Sequence, residues 1–231
     1  MPRALMVHGA GGGGWEWNRW RAVFEARGWE VVAPDLSARE EGLEATTLED
    51  YLAQLQRLCA RQSFDALVGA SLGGLLCLAL AVPGDARPQV LVNPLPPAPE
   101  AARLPARAPY PERVAWQGEG RFAGTVEAMA GCAAGDRLYA FRHWRDESGA
   151  VLNAARAGVH IAHPPRHLLV FASEADEDVP VELSAALAHR LGASLLRLPG
   201  RHLTPLLGMA AHEVARQAVD WLNAKSRFTG N

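Results

Sequence analysis

The sequence from Gly69 to Gly73 reads GASLG and places a serine between two glycines at the spacing G-x-S-x-G. An apolar run typical of a strand precedes it and an apolar run typical of a helix follows it, the context in which such a serine acts as a nucleophile. The glycines allow a sharp turn, and the serine then projects at a helix N-terminus, where main-chain N–H groups favour negative charge. We therefore predict that Ser71 is a catalytic nucleophile, the alternative being a glycine-rich packing turn with an incidental serine.

A serine hydroxyl needs a base, and the base needs an acid that orients it. On a strand–turn–helix scaffold of this kind, the order along the chain is serine, acid and histidine, each after a later strand. His202 follows the last predicted strand, and we predict that it is the base. The loop after the preceding strand holds four carboxylates, Glu174, Asp176, Glu177 and Asp178. Asp176 is the predicted acid and Asp178 the second choice, since Asp178 is also placed to cap the next helix.

A second glycine-rich stretch, His8–Gly14, follows the first predicted strand. A hydrolase of this architecture takes one oxyanion donor from this loop and another from the residue after the nucleophile. We predict that the main-chain N–H groups of Ala10 and Leu72 hold the oxyanion. A phosphate-binding loop is disfavoured because Trp15 and Glu16 stand where that loop needs lysine and serine or threonine. A dinucleotide-binding fingerprint is equally weak.

Alternating strands and helices must position these residues. Apolar runs predict six strands, at 3–7, 30–33, 66–69, 89–92, 167–172 and 194–198. Helical spacing of apolar residues predicts helices at 15–27, 47–61, 72–82, 180–191 and 205–224. Buried apolar strands that alternate with helices indicate an α/β fold with a mostly parallel sheet.

This alternation stops between the fourth and fifth predicted strands. Residues 94–111 contain seven prolines and are not expected to form a regular element. Three short helical stretches follow, at 125–130, 137–145 and 150–157. We predict a core domain of residues 1–93 and 166–231 with an inserted cap or lid at 94–165. In that cap, Trp116 and Trp144, with Phe122 and Phe141 nearby, are predicted to wall a substrate pocket.

Composition excludes several classes of function. The chain has 231 residues, of which 49% are hydrophobic, as expected for one packed domain. Its 23 Lys and Arg against 25 Asp and Glu leave no basic excess for nucleic acid. Residues 66–82 carry no charge but are interrupted by glycines, so we expect a buried strand and helix rather than a membrane span. We expect neither a signal peptide nor a membrane partner.

Cysteine and histidine spacing gives no metal site. The three cysteines, Cys59, Cys77 and Cys132, are scattered and odd in number, so we expect reduced thiols and a cytoplasmic protein. The histidines at 160, 163 and 167 flank two prolines, and no single helix could present them together. We expect neither a metal nor an organic cofactor.

Taken together, the motifs resemble those of the α/β-hydrolase superfamily over nearly the whole chain apart from the insertion. They are VHGAGGGGWEW, VVAPDL, LVGASLGG, EADEDVP and PGRH. The resemblance implies an α/β-hydrolase fold with a reduced, mostly parallel six-stranded sheet, helices on both faces and an inserted cap. It also places Asp176 at the acid position. HGA, GGWEW and APDL are similar to the plant methylesterase and hydroxynitrile lyase branch, but Leu203 stands where the lyases have lysine, which favours ester hydrolysis.

The sequence thus predicts a serine hydrolase that acts on small carboxylic esters through Ser71, His202 and Asp176. A thioesterase, an amidase or an acyltransferase could use the same triad, and a non-catalytic small-molecule receptor could use the same scaffold. The proline-rich segment could also bind a partner in an extended conformation, although a rigid connector is the favoured interpretation. The sequence does not define the oligomeric state.

Overall fold

Short apolar runs bounded by glycine and proline form the strands of a parallel sheet. The computed structural model describes residues 1–117 and 122–226. In chain order its strands are β1 (Arg3–Val7), β2 (Glu30–Val32), β3 (Ala66–Ala70), β4 (Gln89–Val92), β5 (Arg113–Val114), β6 (Glu147–Ser148), β7 (Leu168–Ser173) and β8 (Ser194–Leu198). Six of them form one sheet in the order β2-β1-β3-β4-β7-β8, and every pairing is parallel.

The strand register places the carboxyl ends of these strands at one edge of the sheet. Val7 of β1 pairs with Gly69 of β3, and Ala70 pairs with Val92 of β4. At the other side, Ser173 of β7 pairs with Leu198 of β8. The loops that carry the predicted oxyanion donors, nucleophile, acid and base therefore all leave the sheet at this edge, where ligands bind in open α/β sheets.

Helices follow most of the strands. They are α1 (Asn18–Ala26), α2 (Leu48–Arg61), α3 (Leu72–Ala79), α4 (Phe122–Ala128), α5 (Ala134–His143), α6 (Gly149–Ala157), α7 (Val181–Leu191), α8 (Thr204–Leu207) and α9 (Ala211–Ser226), with 3-10 turns at Gly14–Trp17 and Glu100–Arg103. Thr47 caps α2 through a reciprocal pair of hydrogen bonds with Asp50. The predicted α/β fold is therefore confirmed, and helices cover both faces of the sheet.

Alternation along each strand divides the apolar core into two clusters, one on each face of the sheet. Ala4 and Met6 of β1 belong to the cluster that includes residues of α1 and α9. Leu5 and Val7 belong to the other cluster, which includes residues of α2, α3 and α7. Successive side chains of a strand point to opposite faces, so a strand covered on both sides is apolar throughout.

The final helix differs from the sequence prediction. A single helix at 205–224 was expected, but α8 ends at Leu207 and α9 begins at Ala211. Gly208 has an extended ψ of 176°, and a Cβ placed on it would lie 2.6 Å from the carbonyl oxygen of Thr204. Only glycine fits at this bend, because a side chain would collide with the Thr204 carbonyl oxygen.

The segment between β4 and β7 contains the predicted short helices, as α4, α5 and α6, and a two-stranded antiparallel sheet of β5 and β6 that the sequence did not predict. The proline-rich part, expected to lack regular structure, contains one 3-10 turn. Arg190 of α7 donates two hydrogen bonds of 2.7 Å to the carboxylate of Glu100 in that turn. Ala98 donates to the carbonyl oxygen of Val159. These contacts favour a connector over an extended partner-binding segment.

The described residues contain no helix that is long and apolar enough to cross a membrane. All three cysteines are free, as expected, and burial raises the pKa of the Cys77 thiol.

The turn between β3 and α3 passes close to the end of β1. A Cβ added to Gly73 would lie 2.1 Å from the carbonyl oxygen of Val7 and 2.5 Å from that of His8. A Cβ on Gly69 would lie 2.4 Å from the carbonyl oxygen of Gly73. Only glycine allows the helix to start this close to the neighbouring strand.

We therefore expect Gly73→Ala to lower the free energy of unfolding by about 2–3 kcal/mol, because β1 must move to admit the methyl group. Gly135→Ala, in α5, is the matched control. No atom lies within 4 Å of a Cβ at Gly135, and alanine there should stabilise the helix by about 0.5–1 kcal/mol. Urea unfolding followed by tryptophan fluorescence measures both changes, and an equal effect of the two substitutions contradicts this account of the turn.

Candidate active site

Ser71 occupies the turn between β3 and α3 in a strained conformation, with φ of 51° and ψ of −119°. A non-glycine residue at positive φ is uncommon, and such strain persists only where the surroundings impose it. Here the Ser71 N–H donates to the carbonyl oxygen of Val92, while the Ser71 carbonyl oxygen accepts from Gly74, Leu75 and Leu95. The turn presents the partly exposed serine at the carboxyl edge of the sheet.

The structure brings together the predicted acid and base. His202, in the loop after β8, lies with Nδ1 2.7 Å from Oδ2 of Asp176, in the loop after β7. The other oxygen, Oδ1, accepts hydrogen bonds of 2.9 Å from the N–H groups of Asp178 and Val179. The carboxylate is inaccessible to solvent, so these donors stabilise its charge. Because Nδ1 donates to Asp176, Nε2 is left as the basic nitrogen of the neutral ring.

The pKa of His202 is raised above its ordinary value. Burial alone lowers it, but the hydrogen bond that His202 donates to Asp176 and the charge of Asp176, together with the charges of Asp178 and Glu16, outweigh the burial. The surroundings of His202 therefore favour its protonated form, the imidazolium. A catalytic base needs such surroundings because it must take up a proton.

Asp178 does not cap the next helix, contrary to one sequence expectation. Pro180 is the N-cap residue of α7, and no side chain caps this helix. Within the described residues, one group of three side chains could hold a metal ion, namely Asp176, Asp178 and His202, with ligand atoms within 4.8 Å of one another. Hydrogen bonds within the protein already account for both oxygens of Asp176.

Carboxylates hold the glycine loop that follows β1. The Gly9 N–H donates to Glu16 at 3.1 Å, and the Gly14 N–H donates to Asp35 at 2.7 Å. Between them, the Gly11 N–H donates to Glu147 at 3.0 Å. These bonds fix the loop through its backbone, since glycines offer no side chain to pack.

The two predicted oxyanion donors differ from the neighbouring N–H groups of Gly9 and Gly11, which have carboxylate acceptors. Within residues 1–117 and 122–226, the main-chain N–H groups of Ala10 and Leu72 have no protein acceptor. A Cβ built on Gly9 lies 3.3 Å from Cβ of Ser71, so the glycine loop runs beside the serine. Both groups are therefore available to a ligand at this edge.

His8 is buried and neutral. Burial lowers its pKa to about 4, a hydrogen bond to Gly9 opposes this change, and the charge of Arg145 adds to it. Nε2 accepts from the Leu36 N–H at 3.0 Å, so the proton is on Nδ1, which donates to the Gly9 carbonyl oxygen at 2.7 Å. His8 thus fixes the start of the glycine loop.

The segment between β4 and β7, predicted to be an insertion, contacts the same loop through Arg145 and Glu147. Arg145 donates through Nε to the Gly12 carbonyl oxygen and through its main-chain N–H to Gly11, both at 2.7 Å. The buried carboxylate of Glu147 accepts from Gly11 and also from the hydroxyl group of Tyr51 at 2.8 Å. Both main-chain polar groups of Gly11 are therefore bonded to the insertion. No local sequence pattern predicts these two residues.

The two tryptophans predicted to line a pocket lie in different surroundings. The Trp116 ring covers Gly11, where an added Cβ would lie 2.2 Å from it. Trp144 stands edge-on to Trp15 at a centroid distance of 5.1 Å and donates from Nε1 to Thr125 at 3.1 Å. Trp116 is thus next to the predicted oxyanion loop, whereas Trp144 packs against Trp15 of the predicted core.

The described residues contain no hydrogen bond between the Ser71 hydroxyl and His202. The structure brings Asp176 to His202 and the glycine loop to Ser71. The contact between nucleophile and base stays a prediction.

Glu16 is a buried carboxyl group that the sequence analysis did not single out. It is 2% exposed, and its Oε1 lies 2.1 Å from the position of a Cβ on Gly12. Burial raises its pKa to about 7, while the Gly9 N–H and the charges of His202 and Arg145 oppose this rise. A charged residue between two tryptophans, Trp15 and Trp17, was the available signal for it.

This raised pKa makes the stability of the protein depend on pH. Between its ordinary value of 4.5 and about 7, the folded state holds the Glu16 proton while the unfolded state has lost it, so stability falls as the pH rises. We expect Glu16→Gln to gain about 3 kcal/mol relative to the wild type between pH 4.5 and pH 8.

Urea unfolding at both pH values measures this gain, with the exposed Glu40→Gln as control. A difference between wild type and Glu16→Gln that does not vary with pH would show that folding does not change the pKa of Glu16.

Comparisons with known proteins agree with this architecture. The profile of the alpha/beta hydrolase family matches residues 4–217. Salicylic acid-binding protein 2 of Nicotiana tabacum is 42% identical over 78 residues, which cover 31% of this chain and 30% of that protein. Norfluorocurarine synthase 2 of Strychnos sp. is 41% identical over 85 residues, which cover 34% and 32%. These matches therefore span about a third of the length of each relative.

Solved structures match over almost the whole chain. A pyrethroid hydrolase from Sphingobium faniae JZ-2 superposes with a TM-score of 0.71 at 19% identity, covering 98% of this chain and 99% of that one. Polyneuridine aldehyde esterase gives 0.70 at 18% identity, with 99% of each chain covered. Tomato methylketone synthase I, as a variant bound to beta-ketoheptanoate, gives 0.74 at 14% identity and covers 97% and 98%. These likenesses show the fold, and with the family match over residues 4–217 they establish that the chain belongs to the alpha/beta hydrolase family.

Proposed function

We propose that this protein is a serine hydrolase that cleaves small carboxylic esters through Ser71, His202 and Asp176. The observation that carries the proposal is the strained Ser71 at the same sheet edge as the hydrogen-bonded pair of His202 and Asp176. Strain of this kind is characteristic of functional sites. Membership of the alpha/beta hydrolase family supports hydrolysis.

In the proposed acylation step, Oγ of Ser71 attacks the ester carbonyl carbon while Nε2 of His202 accepts the hydroxyl proton. The carbonyl oxygen becomes an oxyanion, which the N–H groups of Ala10 and Leu72 hold by hydrogen bonds. The tetrahedral intermediate then collapses, and the alkoxide leaves with the proton from His202. Asp176 keeps Nδ1 protonated throughout and stabilises the transient imidazolium.

Deacylation repeats the same chemistry with water as the nucleophile. Nε2 of His202 takes a proton from water, the hydroxide adds to the acyl carbon, and Oγ of Ser71 leaves with that proton. The products are a carboxylic acid and an alcohol, and the enzyme returns to its starting state. Neither step uses a metal or an organic cofactor.

We further propose that residues 94–165 form a cap over this edge of a core of residues 1–93 and 166–231. The contacts of Arg145, Glu147 and Trp116 with the glycine loop support this arrangement. Trp116 and Trp144 are the proposed pocket residues, and a pocket walled by such bulky rings would favour small esters. The free thiols favour a reducing compartment such as the cytoplasm.

We expect Ser71→Ala to lower kcat/KM for p-nitrophenyl esters by at least about 1,000-fold, because no other group can form the acyl-enzyme. Hydrolysis of esters of graded acyl length measures this loss and sizes the pocket at the same time. A serine-directed phosphonate should label the wild type and leave Ser71→Ala unlabelled.

Ser63→Ala is the matched control, because Ser63 is exposed and lies before β3. Esterase activity that persists in Ser71→Ala excludes this serine as the nucleophile. A folded wild type that turns over thioesters or amides but no ester corrects the substrate class, and saturable binding without any turnover indicates a receptor.

The pH profile tests the acid and the base separately from the nucleophile. Only the neutral imidazole can accept a proton, so kcat/KM should fall as the pH drops through the pKa of His202, above the ordinary 6.5. Asp176→Asn removes the hydrogen-bonded charge that favours the imidazolium. We expect this variant to move the midpoint to lower pH and to lower kcat by about 1,000-fold or more.

Asp178→Asn is the control for this experiment, because Asp178 acts on His202 only through its charge. It should shift the midpoint less and keep most of kcat. A larger midpoint shift and a larger loss of kcat in Asp178→Asn than in Asp176→Asn would identify Asp178 as the acid instead.

A further inference from the structure

Asn93 follows the last residue of β4, between the strand that precedes Ser71 and the strand that precedes Asp176. Its side chain is 1% exposed, and its backbone has a positive φ of 44°. Asparagine is among the few non-glycine residues that adopt this conformation readily. In the sequence, Asn93 directly follows the predicted strand at 89–92, and no motif marks it.

The Asn93 amide makes three hydrogen bonds to two different loops. Oδ1 accepts from the Ser173 N–H at 2.7 Å, and Nδ2 donates to the Ser173 hydroxyl oxygen at 2.9 Å. The second N–H of Nδ2 donates to the main-chain carbonyl oxygen of His202 at 2.7 Å. Every donor of the amide is therefore used, and a buried amide with all its donors satisfied defines one geometry.

These bonds connect parts of the site that the sheet alone does not connect. Ser173 is the last residue of β7 and begins the loop that carries Asp176. His202 follows β8, and in the sheet β7 lies between β4 and β8. The Asn93 side chain thus reaches across the end of β7 and bonds the base-bearing loop to the end of β4. The loops after β7 and β8 are already joined to each other by the hydrogen bonds from Glu174 N–H to Leu198 and from Ala175 N–H to Gly200.

The residues on either side of Asn93 bond to the nucleophile. The Val92 carbonyl oxygen accepts from the Ser71 N–H at 3.0 Å, and the Leu95 N–H donates to the Ser71 carbonyl oxygen at 3.0 Å. The segment from Val92 to Leu95 therefore contacts the main chain of Ser71 and of His202, and on the acid side that of Ser173, three residues before Asp176.

We propose that Asn93 is a positioning residue that sets the imidazole of His202 against Asp176 by holding the His202 carbonyl oxygen and the end of β7. The inference rests on the proposed function, since it assigns the base and the acid as that function does. A proton transfer between positioned groups is sensitive to errors of about 1 Å, so this restraint should affect turnover more than substrate affinity.

Two variants remove the restraint in different ways. Asn93→Gly removes the amide and leaves the positive φ unstrained. Asn93→Asp keeps the shape and the acceptor for the Ser173 N–H, but it has no donor for the His202 carbonyl oxygen. If one variant fails to fold, the other supplies the test.

Gln89→Ala is the matched control. Gln89 is a buried amide at the first residue of the same strand, and its Nε2 donates to the Cys77 carbonyl oxygen at 3.1 Å. Its substitution removes a buried hydrogen bond from β4 at the edge of the sheet away from Ser71.

The experiment has two readouts on the full chain. Ester hydrolysis gives KM and kcat, with the concentration of active sites determined by titration with a phosphonate. NMR of the imidazole gives the pH midpoint of His202 without any substrate. Asp176, Asp178 and Glu16 still act on this imidazole in Asn93→Gly and Gln89→Ala, so a changed midpoint in either variant reports a changed position. Asn93→Asp adds a carboxylate near His202 and is therefore evaluated by kcat and KM alone. We expect both Asn93 variants to lower kcat about 10–100-fold with KM within about threefold. Asn93→Gly should also lower the midpoint by about one unit as the bond to Asp176 loosens.

Gln89→Ala should keep both kcat and the midpoint. Asn93 variants with the wild-type kcat and midpoint overturn the inference, as does an equal effect of Gln89→Ala. The NMR readout separates this failure from failure of the proposed function. A wild type without esterase activity whose His202 midpoint still falls in Asn93→Gly retains the positioning role and rejects the ester chemistry.

Discussion

The approach of α3 to the end of β1 is the constraint on which the site depends. Gly73 lies against the carbonyl oxygens of Val7 and His8 with no space for a side chain, and the helix can therefore begin directly after Ser71. This crossing holds Ser71 at positive φ and brings the glycine loop beside it. The nucleophile, the loop and the N-terminus of α3 are thus one packed unit, and their relative positions follow from backbone contacts rather than from flexible side chains.

The glycine loop has few side chains, and hydrogen bonds from its main-chain N–H groups hold it in place. Acidic groups from three parts of the chain bind its N–H groups: Glu16 from the turn that follows, Asp35 after β2, and Glu147 from the insertion. Burying the carboxylates of Glu16 and Glu147 is unfavourable unless they accept hydrogen bonds, and the loop supplies donors to both. Glu16 accepts only one bond from the loop, and its raised pKa reflects that incomplete compensation.

Much of this arrangement could be predicted from the sequence because its signals are local. Apolar runs gave the strands, glycine spacing gave the turn at Ser71, and chain order gave Asp176 and His202. The missed features are non-local or too short to show a period. β5 and β6 have two residues each, and Asn93 and Glu147 act through partners about 80 to 136 positions away. The bend at Gly208 was missed because its flanking residues continue the helical pattern.

The insertion is part of the edge that carries the site rather than an appendage to it. Its Arg145 and Glu147 bind both main-chain polar groups of Gly11, and Asp136 of α5 accepts from Arg19 of α1 at 2.7 Å. Two separate parts of the core therefore hold it. The core supplies the groups proposed for chemistry, while the insertion fixes the loop that carries Ala10. A change in the insertion can consequently alter oxyanion stabilisation as well as pocket shape, so that the proposed selectivity and rate are physically coupled.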